Sequence, residues 1–186
     1  MRLAPVTSLN GTWRMQPEKI GLDRPKTKKW CEVPVPMPWT AFLSPSSGVR
    51  PQMIPTRMAW YRRVIIVPDI PPLSRLALHF EAVNFFAVVF VNGERCGQHV
   101  GDAIPFHIDI TDFVTLHEQA EILVGVQDMS YAEVTEDGAP RRRAARKLIY
   151  PGLAHHPGIW GGVSLRIVPG LHIVGVRVTT TLPVNR

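Results

Sequence analysis

LALHFEAVNFFAVVFVNGERCGQHV, residues 76–100, decides the fold. Its first part alternates: Leu76, Leu78 and Phe80 fall on one side, Ala77, His79 and Glu81 on the other. That two-residue period predicts a strand with one buried face. Asn92-Gly93 then separates FFAVVFV from ERCGQHV. Two residues of this kind between strands predict a type I′ hairpin, whose central positions both need positive φ. The middle strand departs from the usual pattern. Ala87, Val89 and Val91 form one face and Phe86, Val88 and Phe90 the other, so both faces are apolar. An antiparallel strand with one wet face alternates apolar with polar residues. The second face therefore predicts a cover, supplied by another part of the chain or by a partner.

The same grammar extends on both sides. TSLNGTWRM (7–15) reads as a turn entering a strand, and AWYRRVIIVP (59–68) as a strand stopped by proline. FHIDI (106–110), AEILVGVQD (120–128), GIWGGVSLRIVP (158–169) and LHIVGVRVTT (171–180) are further strands. No amphipathic stretch supports a helix longer than a turn or two. Many short strands with no helices between them predict an antiparallel sandwich or barrel. Residues 16–57 read as an irregular, proline-rich wrap. Pro34, Pro36 and Pro38 lack the N–H that a central strand needs, so this segment is expected to cover a sheet edge, with Trp30 and Trp39 as plugs. Residues 129–157 form a long polar loop, of the length that compact domains keep for function.

Composition narrows the class. The 186 residues are 45% hydrophobic and 19% charged, enough apolar material for one domain with a core. The formal charge is +6, but the only basic run is RRRAARK at 141–147. No RNA-binding or zinc-finger motif accompanies it, so a solvated or partner-facing loop is preferred and no nucleic-acid partner is expected. No apolar run approaches the length of a membrane helix, about 18 residues or more, and no membrane partner is expected. Cys31 and Cys96 make no CxxC pair and read as free structural thiols. MRLAPVTSLNG lacks the blocks of a secretory leader, so a cytoplasmic, bacterial-type location is the expectation, with secretion left open.

The order SLNGTWRM, VPVPMPW, WYRRVIIVP, LHFEAVNFFAVVFVNGERCGQHVGDAIPFHIDIT, ILVGVQD, GIWGGVSLRIVP resembles the N-terminal sugar-binding domain of glycoside hydrolase family 2. The resemblance covers residues 8–180 and is densest at 78–112. It implies an all-β, antiparallel jelly-roll sandwich of galactose-binding-domain type over 1–170. It implies that 171–186 is the opening strand of a following immunoglobulin-like domain. It also implies a parent glycosidase of β-galactosidase, β-glucuronidase or β-mannosidase type, retaining in mechanism, whose two catalytic glutamates sit in a (β/α)₈ barrel. A barrel needs about 250 residues, so this chain holds none, and no catalytic residue is assigned here. The implied partners are those missing domains and, through the parent enzyme, a glycoside; a homo-oligomer stays open. The alternative is a free-standing carbohydrate-binding module of the same fold.

Hydrolysis of a glycoside needs two placed carboxylates, and no such pair is legible in the spacing of Asp23, Glu32, Asp69 and Glu81. The seven histidines show no metal-ligand spacing: His155 and His156 are adjacent and would point to opposite faces of a strand. No metal and no cofactor is expected. Asn84, Asp102 and Asp109 read as structural, with Asp109 or Thr111 satisfying turn backbone and Phe106 packing inward. Trp39, Trp60 and Trp160 read as packing residues rather than sugar platforms. The resemblance implies that loop 129–157 reaches the mouth of the parent's active site. Its substrate-proximal candidates are Asp128 at the base, Arg146, Tyr150, His155 and His156. The loop carries RRRAARKLIY where some relatives have a G-K-Q stretch, so no specific contact transfers.

Overall fold

The computed structural model describes residues 6–18, 25, 30–42, 58–128, 133–134, 140–141, 156–171 and 177–180. Its strands are β1 (Val6–Ser8), β2 (Gly11–Glu18), β3 (Cys31–Val35), β4 (Met58–Ile66), β5 (Ser74–Phe80), β6 (Val83–Val91) and β7 (Glu94–Gly101). They continue as β8 (Phe106–Asp109), β9 (Gln119–Gln127), β10 (Glu133–Val134), β11 (Pro140–Arg141), β12 (Gly158–Ile159) and β13 (Val163–Pro169). One four-residue helix, α1 (Trp39–Phe42), follows β3. One sheet has the order β1-β13-β5-β8, the other β12-β6-β9-β4-β2-β3, with β7 also pairing β6. Every pairing is antiparallel. This is the expected all-β sandwich.

The hairpin falls where Asn92-Gly93 placed it, with φ of 51° and 84°. The Asn92 amide also ties the turn down: it donates to the Phe113 carbonyl (2.9 Å) and accepts from the Glu121 N–H (3.0 Å). Asp109 and Thr111 take the turn roles expected of them. Asp109 Oδ1 accepts from the Thr111 N–H, and Thr111 Oγ1 accepts from the Leu76 N–H at 2.8 Å. Phe106 stacks on Phe80, with ring centroids 4.9 Å apart.

Two readings need correction. GIWGGVSLRIVP is two strands, not one. β12 joins β6 in the larger sheet, and β13 joins β5 in the smaller. The chain changes sheets across Gly161-Gly162, where a Cβ on Gly161 would lie 2.4 Å from the Ala82 nitrogen. Only glycine lets the two backbones approach so closely. The 16–57 segment is also more regular than expected, since β3 lies within it. Pro34 is tolerated because, among the described residues, β3 is the sheet's last strand and pairs with β2 alone. In the C-terminal segment, residues 177–180 are exposed and lie in no strand, and 172–176 fall outside the described residues.

The sandwich core is filled by Trp13, Tyr61, Leu78, Phe80, Val89 and Val124 among others. Cys31 and Cys96 are free and half-buried. A second cluster lies on the outer face of the larger sheet: Met58, Trp60, Phe86, Val88 and Phe90, with Trp30 and Leu123 packed against them. Trp60 is 0% exposed and meets the Phe90 ring at 5.9 Å. Its register partner on β9 is Gly125, which brings no side chain onto that face. The apolar second face of β6 is thus covered, and Trp30 shows that the 16–57 segment contributes. The cover stops partway along the sheet, for Val64 and Ile66 on β4 are 48% and 62% exposed.

Candidate functional site

The candidate site lies at the end of the larger sheet where the chain leaves β9 and returns in β12. β6 organises it. Phe86 is paired with Gln127 on one side, and Asn84 with Gly158 on the other. Asp128 follows Gln127 directly and is half-buried. His156 precedes β12 and is exposed.

The return of the chain is fixed from two sides. Trp39 N–H donates to the Pro157 carbonyl and Met37 N–H to the Ile159 carbonyl, each at 3.0 Å. The proline-rich segment therefore runs along β12. Gly158 has φ of 110° and sits against the Tyr61 hydroxyl and the Trp39 indole. Trp160 Nε1 donates to the Asp102 carbonyl at 2.9 Å, and the His156 ring lies 5.8 Å from Trp160 at 46°. Trp39 and Trp60 are buried and Trp160 is half-buried, so the packing reading of these indoles holds.

The fully buried polar groups at this end are neutral, with Asp128 half-buried and His156 exposed beside them. Asn84 and Gln127 are buried amides, joined by Gln16 on β2. Burial pushes the Tyr61 phenol far above its ordinary range, an effect that the Ile159 backbone offsets only in part. Tyr61 is therefore a neutral filler and no proton carrier. Away from this end, burial lowers the proton affinity of the His99 ring, which stacks on Phe106 at 4.0 Å. Among the described residues no group of three His, Cys, Asp or Glu side chains is placed to hold a metal ion. No helix among them is long and apolar enough to cross a membrane. The arrangement can fix the two ends of the 129–157 segment and present amides and an indole–imidazole pair beside them.

Of the five candidates, the structure places Asp128 and His156 at this same end of the sheet. Arg146, Tyr150 and His155 lie outside the described residues. Within the segment, β10 and β11 pair through Glu133↔Arg141 and Val134↔Pro140. Gln16 and Gln127 were not singled out from sequence. The clue to Gln127 is its place at the end of the apolar run of β9; Gln16 carries no such sign.

The fold and this frame define a class: a β-sandwich domain that holds a long insertion at one end. Residues 6–169 match the family described as glycosyl hydrolases family 2, sugar binding domain. The chain belongs to that family. It is 31% identical over 119 residues to a β-galactosidase of Thermoanaerobacter pseudethanolicus, covering 64% of this chain and 15% of that protein. It is 23% identical over 133 residues to a β-glucuronidase of Streptococcus agalactiae, covering 66% and 22%. The solved structure of an uncultured Clostridium β-glucuronidase matches its fold with a TM-score of 0.68 at 20% identity, over 91% of this chain and 30% of that one. The chain thus spans under a quarter of the length of these curated relatives.

Proposed function

We propose that the chain acts as the non-catalytic accessory domain of a larger family 2 glycosidase, acting on a β-glucuronide or β-galactoside. It buttresses a (β/α)₈ barrel and lends residues 129–157 to the mouth of the active site. The observation that carries this reading is the family match over 6–169 in a chain that covers 15% and 22% of two glycosidases. The frame around Gly158 supports it, because it anchors the return of the 129–157 segment against the buried Tyr61 and Trp39.

The test has two parts. Assayed on chromogenic β-glucuronides and β-galactosides, the 186-residue chain shows no turnover. A polypeptide read from the same gene past codon 186 hydrolyses one of them, and loses most of that activity when 129–157 is replaced by a short linker. Turnover by the short chain, or a reading frame that closes without a barrel, sinks the proposal.

A further inference from the structure

We infer that the fold directs deamidation, the hydrolytic loss of a side-chain amide, to Asn10 and shields Asn92 from it. The inference is independent of the accessory-domain reading, and no catalytic activity enters its test.

The chain holds two Asn-Gly pairs, Asn10-Gly11 and Asn92-Gly93. Asparagine is a labile residue, most of all before glycine, where no Cβ hinders the following amide. The glycine nitrogen attacks the asparagine Cγ. The N–Cγ bond forms, the Cγ–Nδ2 bond breaks, and ammonia leaves with the glycine amide proton. Water then opens the cyclic imide at either carbonyl, giving aspartate or isoaspartate. Nothing is oxidised or reduced. Both pairs are exposed, so water reaches each. In an unfolded chain the two should react alike.

The fold gives both side chains the same first task. Leu9 N–H donates to the Val163 carbonyl at 2.8 Å, and the Val163 N–H returns to Asn10 Oδ1 at 2.9 Å. The Leu9 carbonyl is not open to it, since it accepts from Trp13 Nε1 and Arg63. At the hairpin, Asn92 N–H donates to the Glu121 carbonyl at 2.9 Å, and the Glu121 N–H returns to Asn92 Oδ1 at 3.0 Å. In each case the side-chain oxygen stands in for a backbone carbonyl as the last rung of a ladder. The N–H on Oδ1 draws charge from Cγ at both sites and does not separate them.

Two contacts do. The Asn92 NH2 donates to the Phe113 carbonyl at 2.9 Å. Held at both oxygen and nitrogen, the amide cannot turn its Cγ towards Gly93 without breaking a hydrogen bond, and its leaving nitrogen is tied. The Asn10 NH2 has no such bond among the described residues, so that amide pivots on one anchor. The second contact is Arg63, whose guanidinium donates to the Asn10 carbonyl at 3.4 Å. That carbonyl and the Gly11 nitrogen belong to one peptide group. A cation on the oxygen favours the deprotonated nitrogen that attacks.

The folded 186-residue chain, aged at mildly alkaline pH and mapped by peptide mass spectrometry, tests this, with both sites read in the same sample. The expected result is conversion at Asn10 first, with Asn92 slower by roughly threefold to tenfold, the population scale of opening one hydrogen bond. In urea the two rates converge. Equal rates in the folded chain, or Asn92 the faster, overturn the inference. A gap of the same size in urea also overturns it, because the cause would then lie in the local sequence and not in the fold. A folded chain in which neither site reacts, while both react in urea, overturns Asn10 as the exposed site.

Discussion

Gly158→Ala is the sharpest probe of the frame that fixes the return of the 129–157 segment. The residue has φ of 110°, a conformation L side chains rarely adopt. A left-handed backbone costs a non-glycine residue about 1–2 kcal/mol. The added Cβ would also lie 2.4 Å from Tyr61 Oη and 3.2 Å from Trp39 Cε3. Tyr61 is 1% exposed and Trp39 3%, so neither can swing into solvent. Overpacking at such a site costs about 1–3 kcal/mol. The two contributions together predict a loss of about 2–5 kcal/mol, a large share of the roughly 5–15 kcal/mol that holds a domain together. Urea denaturation followed by circular dichroism measures it. A double-mutant cycle with Tyr61→Phe separates the parts. Removing the hydroxyl removes the nearest clash, so Gly158→Ala should cost about 1–3 kcal/mol less in the Tyr61→Phe background, while the backbone cost remains. A loss below about 1 kcal/mol in the single variant refutes the argument from φ and packing. Simple additivity in the cycle refutes the role given to the Tyr61 hydroxyl.

Other consequences can be checked on the same chain. Trp60→Ala should destabilise by about 3–5 kcal/mol although Trp60 lies outside the sandwich core, while Val64→Ala four residues on should cost under about 0.5 kcal/mol. Trp60→Phe should cost less than half as much as Trp60→Ala, because Trp60 Nε1 has no hydrogen-bond partner among the described residues. His99 and His79 are held neutral by burial, so their folded values lie below the ordinary 6.5. Their contribution is complete above pH 6.5 and is lost as the pH falls below it; His99→Phe, which keeps the stack on Phe106, should flatten the stability profile between about pH 7 and 5. Asp109 does not confuse that window. Burial raises its value, but the Thr111 hydrogen bonds and Arg75 outweigh this and hold it below 3.8, so its loss comes at lower pH. Burial pushes the Cys96 thiol up to about 11 and raises that of Cys31, so both should react slowly with a disulfide reagent at pH 8 and rapidly once the chain is unfolded.

Local rules made much of the fold legible. The alternation at 76–80 and the Asn92-Gly93 turn act within a few residues, and both hold. The covered face of β6 was legible because seven consecutive apolar residues, 85–91, leave no wet side. The sheet switch at Gly161-Gly162 was not, because it is set by the approach of Ala82, some eighty residues earlier in the chain. Pro34 misled for a related reason. It excludes a central strand but permits an edge strand, and only the pairing shows which position β3 takes. Of the candidate site, Asp128 and His156 come to one end of the sheet. Their proximity depends on β9 and β12 both flanking β6, which no spacing in the sequence reveals.

That pairing also says something about the 129–157 segment itself. Gln127 is held opposite Phe86 on one side of β6, and Gly158 opposite Asn84 on the other. The two ends are therefore about two inter-strand spacings apart, roughly 10 Å. An extended chain covers about 3.3 Å per residue, so some four residues would bridge the gap. The protein uses the whole of 129–157 for that crossing. Closing so long a loop instead of a short one costs only about 2 kcal/mol in chain entropy, since the cost grows with the logarithm of length. The fold does not require the extra residues and is not greatly penalised for them. Their length is free to serve something outside the sandwich, and the rigid packing at Gly158 is what would let the segment reach that target from a fixed base.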